Sequence, residues 1–255
     1  MTILGVHIDG FRREEVLQQL ERPQVIFTPN PEILLQAASR PRLRTALSKG
    51  TLMLPDGHGL QVVSTLLQVQ SRFLRVLLYF PALLLFLFWK KPFARIFPEV
   101  IHGSDFMDEV IHFAVARDWP VFFLGGRGTV AQKTADFFKA KYPRLRVAGA
   151  SPRDPSREAF ELVKAAHAQV LLVAYGAPKQ ELWIAEYASQ IPRLKTVMAV
   201  GGSFDFYSGA VKRAPRLLRV LGLEWLWRLI LNPIQRGQRI WNAVVAFPLK
   251  ALLKN

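Results

Sequence analysis

The first 70 residues alternate short apolar stretches with segments in which apolar residues recur every three or four positions. A short apolar stretch is typical of a buried strand, and the longer period is typical of an amphipathic helix. The predicted strands are Ile3–Ile8, Gln24–Thr28 and Thr51–Leu54, and the predicted helices are Arg12–Leu20, Glu32–Ala38 and Pro41–Lys49. Residues 1–70 are therefore expected to form an α/β part of the molecule.

The alternation is more regular between residues 99 and 210. The predicted strands are Val121–Leu124, Arg146–Ala148, Val170–Ala174 and Thr196–Val200, and the predicted helices are Thr129–Lys141, Ser156–Ala166 and Gln180–Gln190. Strands that are apolar throughout and alternate with helices indicate a parallel sheet covered on both faces. The expected fold class is α/β, a Rossmann-like parallel sheet flanked by helices, in which ligands bind at the carboxyl ends of the strands.

Residues 71–98 follow neither pattern. Positions 73–89 read FLRVLLYFPALLLFLFW, with Arg72 before them and Lys90 and Lys91 after them. A membrane span needs about 20 apolar residues, and about 17 is the lower limit. A single span would also place the two α/β parts on opposite sides of the membrane. We therefore expect a shallow re-entrant or interfacial helix, broken near Pro81, with a true span and a buried core helix as alternatives.

Charge is concentrated in the same segment and at the C-terminal end. The formal net charge is +15; residues 71–98 hold five Lys or Arg and no acid, and residues 211–255 hold nine against Glu224 alone. Because these basic residues are interleaved with Leu, Phe, Trp and Val, they favour an anionic membrane surface over nucleic acid. Residues 211–255 are expected to be a basic helical appendage associated with the membrane.

Composition and the N-terminal sequence bear on location. The chain has no cysteine, so it has neither a disulfide framework nor thiolate chemistry, as is usual for cytosolic proteins. The N-terminal residues MTILGVHIDGFRREEV do not contain a basic region followed by a long apolar one. No signal peptide is therefore expected.

Polar residues follow two predicted strands of the N-terminal part. Thr28 ends the second strand and Asn30 follows it, and Asp56 and His58 follow the third. Taken singly, an Asp before Gly is typical of a turn, and Asn30 is typical of a helix N-cap. Taken together, they place an acid, an amide and a hydroxyl at the edge where a parallel sheet binds its substrate.

Three further loops carry candidate ligand-binding residues. Gly125 and Gly126 open a glycine-rich turn that could present backbone N–H groups to a phosphate, but no acid follows the next strand to hold a ribose, which disfavours an NAD-dependent oxidoreductase. In the loop Tyr-Gly-Ala-Pro-Lys-Gln-Glu, Lys179 can meet a diphosphate and Gln180 can hydrogen-bond a uracil or a sugar. Asp205 can accept from a ribose or a base, or serve only in a turn.

The most specific sequence is FDFYSGAVKRAPRLLRVLGLEWLWRLILNPIQRGQR, residues 204–239. Its order of Gly, Glu, Trp and Arg, together with the Gly-x-Pro-Lys-Gln-Glu loop, closely resembles the WecG/TagA/CpsF family of bacterial glycosyltransferases, which are N-acetylmannosaminyltransferase-like. The resemblance extends from about residue 20 to residue 240. It implies transfer of a sugar from a nucleotide donor to a polyprenyl-diphosphate-linked acceptor at the bacterial membrane.

The resemblance also implies roles for individual residues. Asp56 is the expected general base of an inverting transfer, with Thr28 and Asn30 lining the sugar pocket. His58 is the rival base, because a neutral imidazole accepts protons near pH 7. The arginines that match the family's C-terminal pattern are Arg213, Arg228, Arg236 and Arg239. No Asp-x-Asp pair occurs in the sequence, so Arg, Lys and helix dipoles are expected to stabilise the leaving group without a metal or other cofactor.

The predicted function is transfer of N-acetylmannosamine, its uronic acid or glucose from a UDP-sugar to a polyprenyl-diphosphate-linked sugar. The expected setting is the cytoplasmic face of the bacterial inner membrane, in the biosynthesis of an exopolysaccharide, another cell-surface polysaccharide or teichoic acid. The alternative is a non-catalytic peripheral membrane protein that binds a nucleotide. The sequence does not choose among the donor sugars, and it leaves open whether the chain forms a homo-oligomer.

Overall fold

The computed structural model describes residues 1–212, Pro215, Trp227 and 233–254. Its strands are β1 (Thr2–Ile3), β2 (Val6–His7), β3 (Gln24–Phe27), β4 (Leu52–Met53), β5 (Val121–Gly125), β6 (Val147–Ser151), β7 (Val170–Ala174) and β8 (Thr196–Ala199). Strands β3 to β8 form one sheet in the order β4-β3-β8-β7-β5-β6, and all its neighbouring strands are parallel. The predicted α/β fold class is confirmed.

Helices connect these strands and extend the chain at its C-terminal end. They are α1 (Arg13–Gln19), α2 (Pro31–Ala37), α3 (Pro41–Leu47), α4 (Gly59–Leu66), α5 (Arg72–Leu77), α6 (Tyr79–Phe88), α7 (Gly103–Ala116), α8 (Val130–Lys141), α9 (Arg157–Ala165), α10 (Lys179–Tyr187), α11 (Ser203–Tyr207), α12 (Pro233–Trp241) and α13 (Phe247–Lys254). Short 3₁₀ turns lie at Lys91–Ala94 and Ala188–Gln190, and a π-helical turn lies at Asn242–Ala246.

Alternate residues of each strand pack against different helices. On one face, Phe122, Leu171 and Val197 pack in a core with residues of α2, α3, α9 and α10. On the other face, Phe123 and Leu172 pack with residues of α1, α7 and α8. Successive strand side chains point to opposite faces, so the sheet is the middle layer of three and is buried on both sides.

The N-terminal strand differs from the prediction. Instead of one strand at Ile3–Ile8, β1 and β2 form an antiparallel hairpin outside the main sheet. The turn is made by Leu4 and Gly5, whose φ angles are 50° and 80°. Leucine rarely adopts a positive φ, so Leu4 gave no sign of the turn, and Gly5 was its one signal in the run from Ile3 to Ile8.

The apolar segment 71–98 folds as two short helices, α5 and α6. The helix is interrupted at Leu78, and Pro81 falls in the first turn of α6, so the predicted break near Pro81 is present. Tyr79 and Phe86 are buried, whereas Phe73 is 75% exposed and Phe88 is 89% exposed. Within the part of the chain that the structure describes, no helix is long and apolar enough to cross a membrane.

The C-terminal helix α13 is anchored on the N-terminal part of the molecule. Phe247, Ala251 and Leu252 of α13 are fully buried in the same core as residues of α2 and α4. The hydroxyl of Tyr79 donates to the carbonyl of Val244 at 2.9 Å, which ties the π-helical turn to α6. The insert and the C-terminal end of the chain therefore form one continuous surface region.

Candidate active site

The loops after the parallel strands lie side by side at one edge of the sheet. Most residues predicted to bind substrate lie on these loops: Thr28 and Asn30 after β3, Asp56 and His58 after β4, Gly125 and Gly126 at the end of β5, Lys179 and Gln180 after β7, and Asp205 after β8. Because β3 and β8 are neighbours, the loops from the N-terminal part and those from residues 99–210 border each other.

Asp56 is an accessible carboxylate with a histidine partner. Its backbone N–H donates to the carbonyl of Pro29 at 3.2 Å, which joins the loop after β4 to the loop after β3. Its Oδ1 lies 3.2 Å from Nδ1 of His102, and the two side chains are 31% and 35% exposed. The carboxylate is therefore held from one side while remaining open to a substrate.

His102 was not identified from the sequence, because it lies on a distant element. It occupies the N-cap position of α7, and its side chain makes no capping hydrogen bond there. The N–H of Ile101 donates to the carbonyl of Pro55 at 3.0 Å, which brings the start of α7 beside Asp56. The only sequence signal was a histidine at a helix start, where Ser, Thr, Asp or Asn is preferred.

His58 is in a more enclosed environment than Asp56. Its Nδ1 lies 3.1 Å from Oε1 of Gln61, and its ring is 5.3 Å from that of Phe86 and 6.0 Å from that of His102. Burial lowers the pKa of His58, and the hydrogen bond to Gln61 only partly opposes this effect. The imidazole is therefore expected to be neutral near pH 7.

Thr28 and Asn30 organise the loop after β3. The Asn30 side-chain oxygen accepts from the N–H of Ile33 at 3.0 Å, so the N-cap role that its position suggested is confirmed. A Cβ at Gly103 would lie 3.0 Å from Oγ1 of Thr28, so the start of α7 approaches Thr28 closely because residue 103 is glycine. Whether either side chain touches sugar stays a prediction.

The glycine-rich turn after β5 is shaped by close packing. Gly125 has φ 101°, and a Cβ there would lie 2.9 Å from the carbonyl of Ala174. The N–H of Gly126 donates to that same carbonyl at 3.1 Å. This N–H is therefore already used, and the phosphate contact predicted for the turn would have to come from the groups at the start of α8.

Gln180 joins two loops instead of pointing freely into the site. Its side-chain oxygen accepts from the N–H of Gly176 at 3.1 Å and of Gly201 at 3.0 Å, and its Nε2 donates to Glu181 at 2.9 Å. Lys179, the first residue of α10, is exposed. Burial raises the pKa of the Glu181 carboxyl, and its Oε2 has no hydrogen-bond partner among the described residues.

Asp205 lies in the first turn of the short helix α11, where it is half-buried. Its backbone carbonyl accepts from the N–H of Val211 at 2.9 Å, so the residue takes part in the turn after β8. A contact between its carboxylate and a ribose or base stays a prediction.

The predicted C-terminal arginines are only partly described. Arg213 and Arg228 lie outside the described residues, and Arg236 falls within α12. The Nε of Arg239 lies 3.6 Å from Oε1 of Glu32. Glu32 is in the first turn of α2, two residues after Asn30, so α12 reaches the edge of the sheet where the substrate is expected to bind.

Sequence comparison identifies the family. The model of the glycosyl transferase WecG/TagA/CpsF family matches residues 1–84 and 82–255, and the two matched segments meet inside α6. The chain belongs to the WecG/TagA/CpsF family. It is therefore a glycosyltransferase, as its C-terminal sequence predicted.

Two relatives in the family have a named reaction. An N-acetylglucosaminyldiphosphoundecaprenol N-acetyl-beta-D-mannosaminyltransferase of Bacillus spizizenii is 31% identical over 236 residues, which is 90% of this chain and 79% of the relative. A protein of the same name from Bacillus subtilis is 30% identical over 233 residues, 89% of this chain and 77% of the relative. The similarity therefore spans both the N-terminal part and residues 99–210.

In this WecG/TagA/CpsF member, the edge of the sheet at the carboxyl ends of the strands combines the acid Asp56 with two basic residues. Asp56 has an imidazole on Oδ1, and Lys179 and Arg239 lie on helices that begin or pass near the same edge. Among residues 1–212 and 233–254, no cluster of three or more His, Cys, Asp or Glu side chains is placed to hold a metal ion. The arrangement can supply a base on one side and positive charge for a diphosphate on the other.

Proposed function

We propose that this glycosyltransferase moves N-acetylmannosamine from a UDP donor to a polyprenyl-diphosphate-linked N-acetylglucosamine. The observation that carries the proposal is Asp56, an accessible carboxylate in contact with His102 at the carboxyl edge of the sheet. The choice of donor and acceptor is supported by the names of the two relatives, which match about 90% of this chain. A uronic acid or glucose donor is the competing choice.

The reaction proposed is a single inverting displacement. Asp56 takes the proton from the acceptor hydroxyl as its oxygen forms a bond to the anomeric carbon of the donor. The bond from that carbon to the diphosphate breaks at the same time, and UDP leaves with the electron pair. Thr28 and Asn30, on the neighbouring loop, would orient the sugar.

Positive charge is proposed to stabilise the departing UDP in place of a metal ion. Lys179 is exposed at the N-terminus of α10, so its ammonium group and the helix dipole act in the same direction on an anion. The arginines of residues 211–255 add further positive charge, and guanidinium groups suit a diphosphate because they bind it in a bidentate manner.

The protein is further proposed to dock on the anionic cytoplasmic face of the inner membrane, where a polyprenyl-linked acceptor would be held. We define the docking surface as the exposed apolar side chains of α5 and α6: Phe73, Leu74, Leu77, Leu78, Phe80, Leu84, Leu85, Leu87 and Phe88. Lys90 and Lys91 at one end and Arg72 at the other are exposed and suit anionic headgroups. The setting proposed is biosynthesis of a cell-surface polysaccharide or teichoic acid.

A donor screen tests the proposed reaction. Purified protein is incubated with UDP-N-acetylmannosamine, its uronic acid or UDP-glucose, together with a short-chain polyprenyl-diphosphate-N-acetylglucosamine. Release of UDP and formation of lipid product are measured in parallel. We expect both only with UDP-N-acetylmannosamine. Product with another donor would change the substrate assignment, and nucleotide binding without any UDP release would favour a non-catalytic binding protein.

A further inference from the structure

The contact between His102 and Asp56 is not explained by the local structure of either residue. Asp56 belongs to the loop after β4, and His102 lies 46 positions further along the chain. Two features bring them together: the hydrogen bond from Ile101 to the carbonyl of Pro55, and the close approach of α7 to Thr28 that Gly103 permits. The start of α7 is thus held against both loops that carry the proposed sugar-binding residues.

We infer that His102 is a positioning residue for the proposed base, donating from Nδ1 to Oδ1 of Asp56 so that Oδ2 faces the acceptor hydroxyl. This inference rests on the proposed function of Asp56. Within the described part of the chain, the Asp56 side chain has no second hydrogen-bond partner. One oxygen is therefore fixed by the imidazole, and the other is available to take a proton.

Fixing one oxygen matters because a base must lie within hydrogen-bond reach of the proton it removes. A free aspartate side chain rotates about two bonds, and only some of its rotamers would aim a lone pair at the acceptor. A hydrogen bond donated to a carboxylate is stronger than one between neutral groups, so the imidazole can select one orientation. His102 contributes no atom to the bonds that form and break.

Other charged or titratable groups also surround the His102 ring. Asp56 faces its Nδ1, and His58 contacts it edge-on across 6.0 Å. Lys90, from the end of α6, acts on the neighbouring His58 electrostatically. Asp105 lies in the first turn of the same helix, α7. The His102 variants are therefore compared first with these four residues in place.

The test compares one substitution that keeps a hydrogen-bond donor facing Asp56 with one that removes it. His102→Asn keeps an N–H at nearly the position of Nδ1. His102→Phe keeps an aromatic ring but has no N–H to donate. We expect His102→Phe to lower kcat about 10-fold to 100-fold, as for the loss of one hydrogen bond to a charged group. The KM for the UDP-sugar should change little. His102→Asn should stay close to the wild type in both respects.

The same substitutions on an Asp56→Asn background separate the two proposals. If Asp56→Asn has the expected low activity, adding His102→Phe should lower that remaining activity no further, because the contact it removes no longer serves a base. Equal kcat in His102→Asn and His102→Phe would overturn the role of His102 alone. Full activity in Asp56→Asn would overturn the proposed base itself. Thermal unfolding checks the fold of each variant, and His102→Ala replaces His102→Phe if the latter does not fold.

Discussion

At the scale of single residues, the two candidate bases differ in their surroundings. His58 is partly enclosed by Phe86, its pKa is lowered by burial, and its Nδ1 faces Gln61. Asp56 is about a third exposed, and among the described residues its side chain is hydrogen-bonded through Oδ1 alone. A base in a transfer reaction needs both a fixed orientation and access to the acceptor, and Asp56 has both. His58 is better suited to form a wall of the acceptor site.

The first prediction is that Asp56→Asn keeps the fold and donor binding but lowers transfer by about 10²-fold or more, because the amide cannot accept the acceptor proton. Single-turnover product formation and donor binding by calorimetry measure the two effects separately. His58→Ala is the matched variant and should retain measurable transfer. An inactive His58→Ala beside a near-normal Asp56→Asn would assign the base to His58.

A second prediction concerns the buried carboxyl of Glu181. Burial raises its pKa above the ordinary value of 4.5, so ionisation opposes folding. Below pH 4.5 both the folded and the unfolded chain hold this proton. As the pH rises, the unfolded chain releases it first, and the free energy of unfolding falls until the folded-state pKa is passed.

Glu181→Gln removes this ionisation and keeps an acceptor for Gln180. We expect its melting temperature to match the wild type near pH 4 and to exceed it by about 2–4 °C or more near pH 8. Thermal unfolding over that pH range measures the difference. Glu161→Gln, an exposed glutamate on α9, is the control. A difference between Glu181→Gln and wild type that does not change with pH would contradict the explanation.

At the scale of secondary structure, elements defined by local signals were predictable from the sequence. The strand Val170–Ala174 is apolar throughout and was predicted with its observed bounds, and Asn30 caps α2 as its position suggested. The contact between Asp56 and His102 was not predictable, because it depends on backbone hydrogen bonds between distant segments. The same applies to Gln180, whose partner Gly201 lies 21 residues away. Sequence pattern placed the loops at one edge but did not give their mutual contacts.

The α5–α6 surface gives a prediction about membrane binding. Leu84 and Phe88 are 62% and 89% exposed, so Leu84→Asp/Phe88→Asp should not disturb the core. Each side chain contributes about 1.5–3 kcal/mol when buried in lipid, so the double variant should bind anionic vesicles at least about 10-fold more weakly in flotation assays. Leu162→Asp on α9, 37% exposed and remote in sequence from the insert, is the control. Unchanged flotation of the double variant would exclude this surface as the docking site.

At the scale of the whole molecule, the proposed leaving-group stabilisation relies on basic residues from two regions, the loop after β7 and the C-terminal segment. Lys179 lies at the edge of the sheet, and residues 211–255 hold nine Lys or Arg against one acid. We therefore predict that transfer persists in excess EDTA, since positive side chains take the role a divalent cation would have. The measurement is product formation before and after chelation. Activity that is lost with EDTA and returns with Mn²⁺ or Mg²⁺ would show that a metal is required.

The C-terminal part of the chain contacts both the insert that carries the proposed docking surface and the loop region of the proposed active site. α13 is buried against the N-terminal part, the π-helical turn before it is held by Tyr79 of the insert, and Arg239 of α12 pairs with Glu32 beside Asn30. These contacts place one chain segment between the proposed lipid surface and the substrate edge. Lipid binding alone would not require α12 to reach Glu32.

The last prediction separates a catalytic role of this segment from a docking role. Arg228→Ala and Arg236→Ala are assayed in detergent with a short, soluble acceptor analogue and no bilayer, so membrane affinity does not limit the rate. If these guanidinium groups meet the diphosphates, each variant should lose about 10-fold or more in kcat/KM, as for removal of a charge-assisted contact. Lys254→Ala, at the exposed end of α13, is the control and should retain full activity there. Full activity of both arginine variants, with only vesicle binding impaired, would restrict the segment to membrane docking.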